Sequence, residues 1–288
     1  MNLKYLTTLV IAALLLSGCS IKMAYNNLDR LVRWGVSDYV DLNREQKAVL
    51  NREIKQFQYW HRVNHLPEYA AYMEVLASTM TDTVSVEQMR GIFEQVTVWA
   101  EEVEEEVTPL IVKMMISLTD DQVAELPARL EASNLEIAEP ELDDDLVAAQ
   151  ALWAEDLEDS LKQFVGRLSP SQRAYIERRS AGYQPERVLW AEYRRRFQTD
   201  LLALLSKRSE EKVFASGYRD LVAKRESYYG DELSAVFEHN EQLGLEVSAY
   251  VLSNLSEKQS ERFVESLLGL GEDFADLAAQ ADPSTVGG

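Results

Sequence analysis

The sequence predicts an all-α fold, an elongated multi-helix bundle, and three observations lead to this prediction. Apolar residues recur at helical spacing, with shorter stripes over 50–60 and 142–164. The 12 glycines and seven prolines fall mostly between the stripes, as expected for helices joined by short connections. The longest seam alternates steps of four and three and predicts a helix of about 30 residues; it consists of Met89, Phe93, Val96, Ala100, Val103, Val107, Leu110 and Met114.

The first element is a secretory signal. Lys4 precedes an uncharged, mostly apolar run at 6–16, which is too short to span a bilayer because a span needs about 20 residues. The next four residues, Leu16-Ser17-Gly18-Cys19, resemble the lipobox of bacterial lipoproteins. The resemblance implies that 1–18 is a cleaved signal peptide and that Cys19 carries diacylglycerol and a further acyl chain such as palmitate. The alternative is an ordinary signal peptide followed by an incidental cysteine.

The same resemblance implies a destination. Ser20 follows the cysteine, instead of the aspartate that typically retains lipoproteins in the inner membrane. This implies a lipid anchor in the inner leaflet of the outer membrane, with the body facing the periplasm. Cys19 is the only cysteine, which excludes an internal disulfide. Because an apolar stripe begins at Tyr25, soon after the anchor, we expect the body to lie close to the membrane.

The body is expected to consist of two helical halves and a tail. We assign 19–137 to a lipid-anchored N-terminal half, 138–281 to a C-terminal half and 282–288 to a flexible tail. The boundary is expected within 134–145, which carries Pro140 and three consecutive aspartates. Such composition is typical of a connection rather than of a helix.

Charge excludes one class of partner and suggests another. Without the signal peptide the chain has 28 basic and 49 acidic residues, so we expect no nucleic-acid binding. Acidic residues dominate 101–161, and basic residues outnumber acidic ones 13 to seven in 172–225. One interpretation is solvated helix faces, partly paired with each other. The other is a partner-binding surface for an acidic or unfolded protein, formed by Arg173, Arg178, Arg179, Arg187, Trp190, Arg194, Arg195 and Arg196.

A five-residue motif occurs four times: leucine, a small polar residue, two variable residues, glutamine. It predicts a capping box, in which the polar side chain and the glutamine three residues later satisfy each other's backbone N–H groups. A weaker fifth copy ends at Gln88. The residues that define the four copies are Leu42, Asn43 and Gln46; Leu118, Thr119 and Gln122; Leu168, Ser169 and Gln172; and Leu255, Ser256 and Gln259.

The copies group as Gln46 with Gln122 and Gln172 with Gln259, which suggests a tandem duplication. Two such motifs, about one small domain apart, resemble the LTxxQ signature of the periplasmic Spy and CpxP proteins. That resemblance implies two tandem Spy-like helical units and a chaperone-like activity toward envelope proteins. Only the copy at Leu118 has the threonine of the signature.

A second resemblance covers more of the chain. The segments 24–29 and 38–42, together with Trp34, Gln46 and 60–62, resemble a family of uncharacterised lipoproteins from Gram-negative bacteria. This resemblance supports the lipid anchor and implies no particular activity.

Catalytic chemistry is not expected. His61 and His65 are four residues apart on a predicted helix, with Glu68 nearby, but a third firm metal ligand is lacking. The glutamates of 101–106 are interpreted as a solvated helix face, and no phosphate-binding glycine loop or serine elbow is present. We therefore predict no enzyme, no cofactor and no metal. The favoured function is a protein-binding module, chaperone-like toward envelope proteins; the alternatives are an envelope scaffold with one defined partner and a metal-dependent enzyme.

Overall fold

A computed structural model describes residues 18–80, 83–138 and 145–285. The predicted signal peptide up to residue 17, half of the expected boundary (139–144) and the end of the tail lie outside the described residues. Within them the chain forms no strand and twelve α-helices, which confirms the all-α prediction. The helices are α1 Gly18–Asn26, α2 Leu28–Ser37, α3 Arg44–Asn64, α4 Leu66–Thr79, α5 Val86–Ile116, α6 Asp120–Ala138, α7 Leu146–Val165, α8 Pro170–Ser180, α9 Arg187–Leu205, α10 Glu211–Ala223, α11 Gly230–Ser253 and α12 Glu257–Ala278.

Helix α5 is the longest element and gives the bundle its elongated form. Its 31 residues correspond to about 46 Å at 1.5 Å per residue. It begins after a capping box at Ser85 and contains Pro109 without ending there. Just before its start, the hydroxyl of Ser253 accepts a hydrogen bond from Val84 N and donates one to Val84 O, both at 2.9 Å. The helix therefore spans the molecule, from the end of α11 to the start of α6.

Two large hydrophobic cores lie toward opposite ends of α5. The first, called the 172/259 core here, joins α4 and the start of α5 to α7, α8, α11 and α12; Val165, Leu168, Ile176, Val247 and Val251 are almost fully buried in it. The second, the 46/122 core, joins α2, α3, α6 and the end of α5 to α9 and α10 around Leu205 and Phe214. Each core contains helices from both expected halves of the chain.

Packing between distant parts of the sequence is closest where α4 lies against α12. Gly271 allows this approach, because a Cβ there would be 3.3 Å from both Ala70 O and Met73 Cβ. A smaller third core continues from this contact and contains Ile21, Leu66, Tyr69, Trp99, Phe274 and Leu277. Helix α1 is thus held against the middle of the body, where Lys22 forms ion pairs of 2.8 Å with Asp273 and Asp276.

The apolar seam predicted for α5 is correct in part. Met89, Val96 and Val107 pack inward, but Phe93 is 40% exposed. The buried positions change because α5 passes three successive cores that approach it from different directions, whereas a strict heptad assumes one straight partner. No helix among the described residues has the length and apolar character needed to cross a membrane.

Candidate functional site

The four motif copies contact each other in two pairs, and the glutamine side chains form the hydrogen bonds within each pair. In the first pair, Gln46 Oε1 accepts from Asn43 N at 2.9 Å, as the capping box requires. Its Nε2 donates across the pair to Ser117 O at 2.8 Å, while Gln122 Nε2 donates to Asp41 O at 2.8 Å. The two amides also contact each other, with Nε2 to Oε1 distances of 2.9 Å. Ser117 and Asp41 each immediately precede the leucine of their motif, so the contacts are reciprocal.

The second pair repeats this geometry. Gln172 Nε2 donates to Asn254 O and Gln259 Nε2 donates to Arg167 O, both at 3.0 Å. Asn254 and Arg167 again immediately precede the motif leucines. The amides lie 3.4 and 3.0 Å apart in the two directions. Each pair therefore fastens the start of one helix to the chain just before another, α3 to α6 and α8 to α12.

The sequence predicts these capping boxes but not the contacts between copies 76 and 87 residues apart. The missed signal is that all copies use glutamine. Glutamate would also accept the cap bond and would interact better with the helix dipole, but only glutamine also donates two N–H groups. Gln88, in the weaker copy, caps Ser85, and the described residues give its amide no second partner.

The basic segment predicted to bind a partner is largely used inside the protein. Arg194 is 3% exposed, so it does not lie on a surface; its guanidinium donates to Asn134 Oδ1 at 2.9 Å and to Ser133 Oγ at 3.2 Å. Trp190 is also buried, in an aromatic cluster with Tyr193 and Tyr229. Alternating basic and aromatic residues here line the contact of α9 with α6 and α11.

The other arginines of the segment differ in how much surface they offer. Arg195 is ion-paired with Glu131 at 2.9 Å, Arg196 donates to Tyr228 O and Tyr229 O, and Arg179 is ion-paired with Glu246. Arg187, at the start of α9, is half-buried and also has an interaction partner. Arg173 and Arg178 are exposed on α8, and Arg178 lies 5.3 Å from the ring centre of Tyr175. Arg196 is exposed as well, so Arg173 and Arg178 are distinguished by forming neither an ion pair nor a hydrogen bond to the backbone among the described residues.

Two of the three histidines, His61 and His65, belong to a buried aromatic cluster. His61 and His65 stack with ring centres 5.5 Å apart, and Tyr25 Oη lies 3.1 Å from His61 Nδ1. Burial, together with His65 and Arg62, lowers the pKa of His61 to about 3, so its imidazole is neutral at physiological pH. Glu68 accepts from the Trp99 indole at 2.9 Å. In the described ranges no group of three His, Cys, Asp or Glu side chains could hold a metal ion.

The glutamates of α5 do not all lie on a solvated face. Glu104 is buried and ion-paired with Arg225, and burial raises its pKa although Arg225 opposes that effect. This corrects the expectation for 101–106 as a whole. A helical turn of α5 places position 104 inward, because 104 lies three residues before the buried Val107.

Most of the exposed carboxylates of α5 lie along one side of the helix. Val98 is 46% exposed, and glutamates lie four residues before it and three and four residues after it. Apart from Glu102, whose Oε2 lies 3.7 Å from His65 Nδ1, none of these glutamates forms an ion pair with the part of the chain that the structure describes. We call this stripe the acidic face of α5; it comprises Glu87, Glu94, Val98, Glu101, Glu102 and Glu105, about 27 Å along the helix.

A protein family described as a family of unknown function, DUF6279, matches residues 38–234. The match covers both members of the first glutamine pair and extends over most of the body, and the chain belongs to that family. No curated protein matches the chain, and no solved structure matches it.

Proposed function

We propose that this member of the DUF6279 family is a lipid-anchored envelope protein that acts as a scaffold, binding one basic protein partner through the acidic face of α5. The observation that carries the proposal is the row of exposed carboxylates around Val98, in which Glu94, Glu101 and Glu105 form no ion pair among the described residues. Like charges at this spacing repel each other by a few tenths of a kcal/mol per pair. A basic partner would remove that repulsion and cover the exposed valine.

The rigidity of the helix supports a scaffold in particular. The chain is fixed near both ends of α5. Just after its end, Ser117 O accepts from Gln46 of one glutamine pair. Just before its start, Val84 N donates to Ser253, and the neighbouring Asn254 O accepts from Gln172 of the other pair. A helix held in this way presents its charges at constant positions, so a partner does not have to order them on binding. Charge complementarity then favours one partner over others.

The anchor is the second part of the proposal. The lipobox residues 16–19 support it, and α1 starts at Gly18, so Cys19 lies in the first turn of a helix packed on the body. Acylation there would hold the body at the membrane without a long linker. Mass spectrometry of the mature chain tests the anchor: we expect Cys19 to be the N-terminal residue with acyl groups attached. An unmodified chain cleaved elsewhere would contradict it.

Chaperone-like binding of many clients is the second candidate. The exposed part of the basic segment favours it, because Arg173 and Arg178 beside Tyr175 offer both charge and aromatic surface. That surface is smaller than the sequence predicts, since Arg194 and Trp190 are buried. A scaffold is therefore better supported than a chaperone.

In-cell photocrosslinking separates the candidates. A photoreactive amino acid at Val98 should give one adduct of defined mass, and the same residue at Val213, an exposed valine on α10, serves as the matched control. The adduct should disappear when Glu94, Glu101 and Glu105 are changed to lysine. It should persist when the exposed Glu155 and Asp156 of α7 are changed instead.

The outcomes have distinct meanings. One charge-dependent adduct at Val98 supports the scaffold. A ladder of adducts, stronger at a probe placed at Arg178 than at Val98, would favour the chaperone. No adduct at Val98 in cells that contain the acylated protein would contradict the proposed use of this face.

A further inference from the structure

Helices α1 and α2 carry exposed apolar side chains on the side that faces away from the body. Trp34 is 71% exposed, Met23 67% and Leu31 42%. Asn27 N donates a hydrogen bond to Met23 O, and Leu31 N donates one to Asn27 O, both at 3.1 Å. Helical spacing therefore continues across the junction of the two helices. Positions 23, 27, 31 and 34 then lie on one side. We call Met23, Arg30, Leu31 and Trp34 the outer face of α1–α2; it is about 16 Å long.

The inner side of the same helices is already used for packing. Ile21 is buried in the third core, and Leu28, Val32 and Val36 pack on the 46/122 core. The outer face is therefore an additional apolar surface that folding of the described residues does not require. A tryptophan is seldom so exposed in a soluble body, whereas it is enriched where protein meets the headgroup region of a bilayer.

The charge of this face also distinguishes it from the rest of the protein. The chain as a whole carries a net charge of −20, which an anionic lipid surface repels. On the outer face Arg30 is exposed and forms no ion pair among the described residues, while Asp29 is paired with Arg33 at 3.0 Å. The four positions of the outer face thus include a free cation, and the exposed carboxylate of Asp38 lies beyond Trp34 at the end of α2. Basic residues near a membrane surface attract anionic lipids by about 1 kcal/mol each.

We infer that the outer face of α1–α2 lies in the headgroup region of the bilayer in which Cys19 is anchored. The inference rests on the proposed lipid anchor. Cys19 is four residues before Met23, about 6 Å along α1, so acyl chains on Cys19 enter the membrane next to this face. The lipid anchor and the outer face together fix one side of the body against the membrane, so the body has a defined orientation instead of rotating about a single point.

The test uses the full mature chain reconstituted into vesicles of phosphatidylethanolamine and phosphatidylglycerol. Lipids brominated near the headgroup end of their acyl chains quench tryptophans that contact them. We expect quenching of the wild-type protein and loss of most of it in Trp34→Phe, because the tryptophans on other helices are less exposed. As a matched control, Lys258→Trp in the Trp34→Phe background should not restore the quenching, since Lys258 is about 27 Å along α12 from Asp276, which contacts α1.

Three other results would overturn the inference, and each has its own meaning. If Trp34 is not quenched although Cys19 carries its acyl groups, the anchor is correct and the outer face does not touch lipid. If Cys19 carries no acyl group, the proposed anchor fails and the inference fails with it. If light scattering shows a dimer that Trp34→Ser dissociates, the outer face binds a second copy of this chain instead of lipid.

Discussion

The two glutamine pairs have the same hydrogen bonds but different surroundings. Gln172 and Gln259 are 1% and 8% exposed and lie in the 172/259 core between Val251 and Leu168. In the other pair Gln46 is buried, whereas Gln122 is half-exposed and lies beside the ion pair of Arg208 with Asp120. An unmade hydrogen bond is costly only where water cannot replace the partner. The comparison therefore predicts that identical bonds stabilise the two ends of the molecule to different extents.

The largest effect is expected for Gln172→Ala. The change leaves Ser169 N and Asn254 O without their partner and removes one from Gln259. With about 1 to 3 kcal/mol for each buried group left unpaired, we expect the free energy of unfolding to fall by about 3 kcal/mol. Urea unfolding of the protein measures this. A loss no larger than that of Gln122→Ala would show that burial does not distinguish the pairs.

The stability of the region between the pairs should depend on pH, whereas the glutamine amides of the pairs do not titrate. His61 is neutral in the folded protein because burial lowers its pKa to about 3, whereas the unfolded chain protonates near pH 6.5. As the pH falls, His61 is therefore protonated in the unfolded state before it is protonated in the folded state. The contribution of His61 to the free energy of unfolding should be nearly constant above pH 7, and the free energy of unfolding should fall by about 2 kcal/mol between pH 8 and pH 5.

The matching variant for the pH experiment is His61→Gln. It should be less stable at pH 8, where the native imidazole packs well, and should lose less stability between pH 8 and pH 5. Urea unfolding at several pH values gives both quantities. Parallel curves for the wild type and the variant would exclude His61 as the source of the acid sensitivity.

A smaller effect is expected for Gln122→Ala. Water can reach the half-exposed site and replace part of what is lost from Thr119 N and Asp41 O, so we expect a loss of about 1.5 kcal/mol. Double-mutant cycles sharpen the comparison: the coupling between Gln172 and Gln259 should exceed that between Gln46 and Gln122. Equal coupling would mean that local geometry alone decides the strength of the pairs.

The smallest effect is expected for Gln88→Ala. Gln88 accepts from Ser85 N at 2.8 Å, is exposed and belongs to no pair. The change should cost about 0.5 kcal/mol, the lower end for a helix cap. This variant is the baseline that separates capping from pairing in the other two. A loss as large as that of Gln122→Ala would show that capping alone accounts for the stability.

The sequence predicts local features well because their causes are local. A capping box such as that of Ser169 and Gln172 lies within four residues, and its physics can be read from those residues. The contact of Gln172 with Gln259 depends on where two helices meet 87 residues apart, and no periodicity reports that. The all-α prediction succeeds for the first reason.

The basic segment shows the opposite case. The sequence predicts Arg194 on the surface because charged side chains are rarely buried, yet Asn134 and Ser133 supply oxygens that accept hydrogen bonds from its guanidinium. Composition indicates the charge of a segment but not the polar partners that another helix brings. The acidic face of α5 was predictable in part: Glu101 is exposed as expected, and Glu104 is not.

The packing of α4 against α12 constrains the order in which the chain can fold. Helix α4 ends at Thr79 and α12 ends at Ala278, so nearly 200 residues must be synthesised after α4 before its main partner exists. Until then Leu76 and Ala77 of α4 lack part of the surface that buries them, so the core that contains them cannot close before α12 has been synthesised. A stop codon anywhere before α12 would therefore leave this side of α4 uncovered, because the last helix completes a structure begun by the fourth.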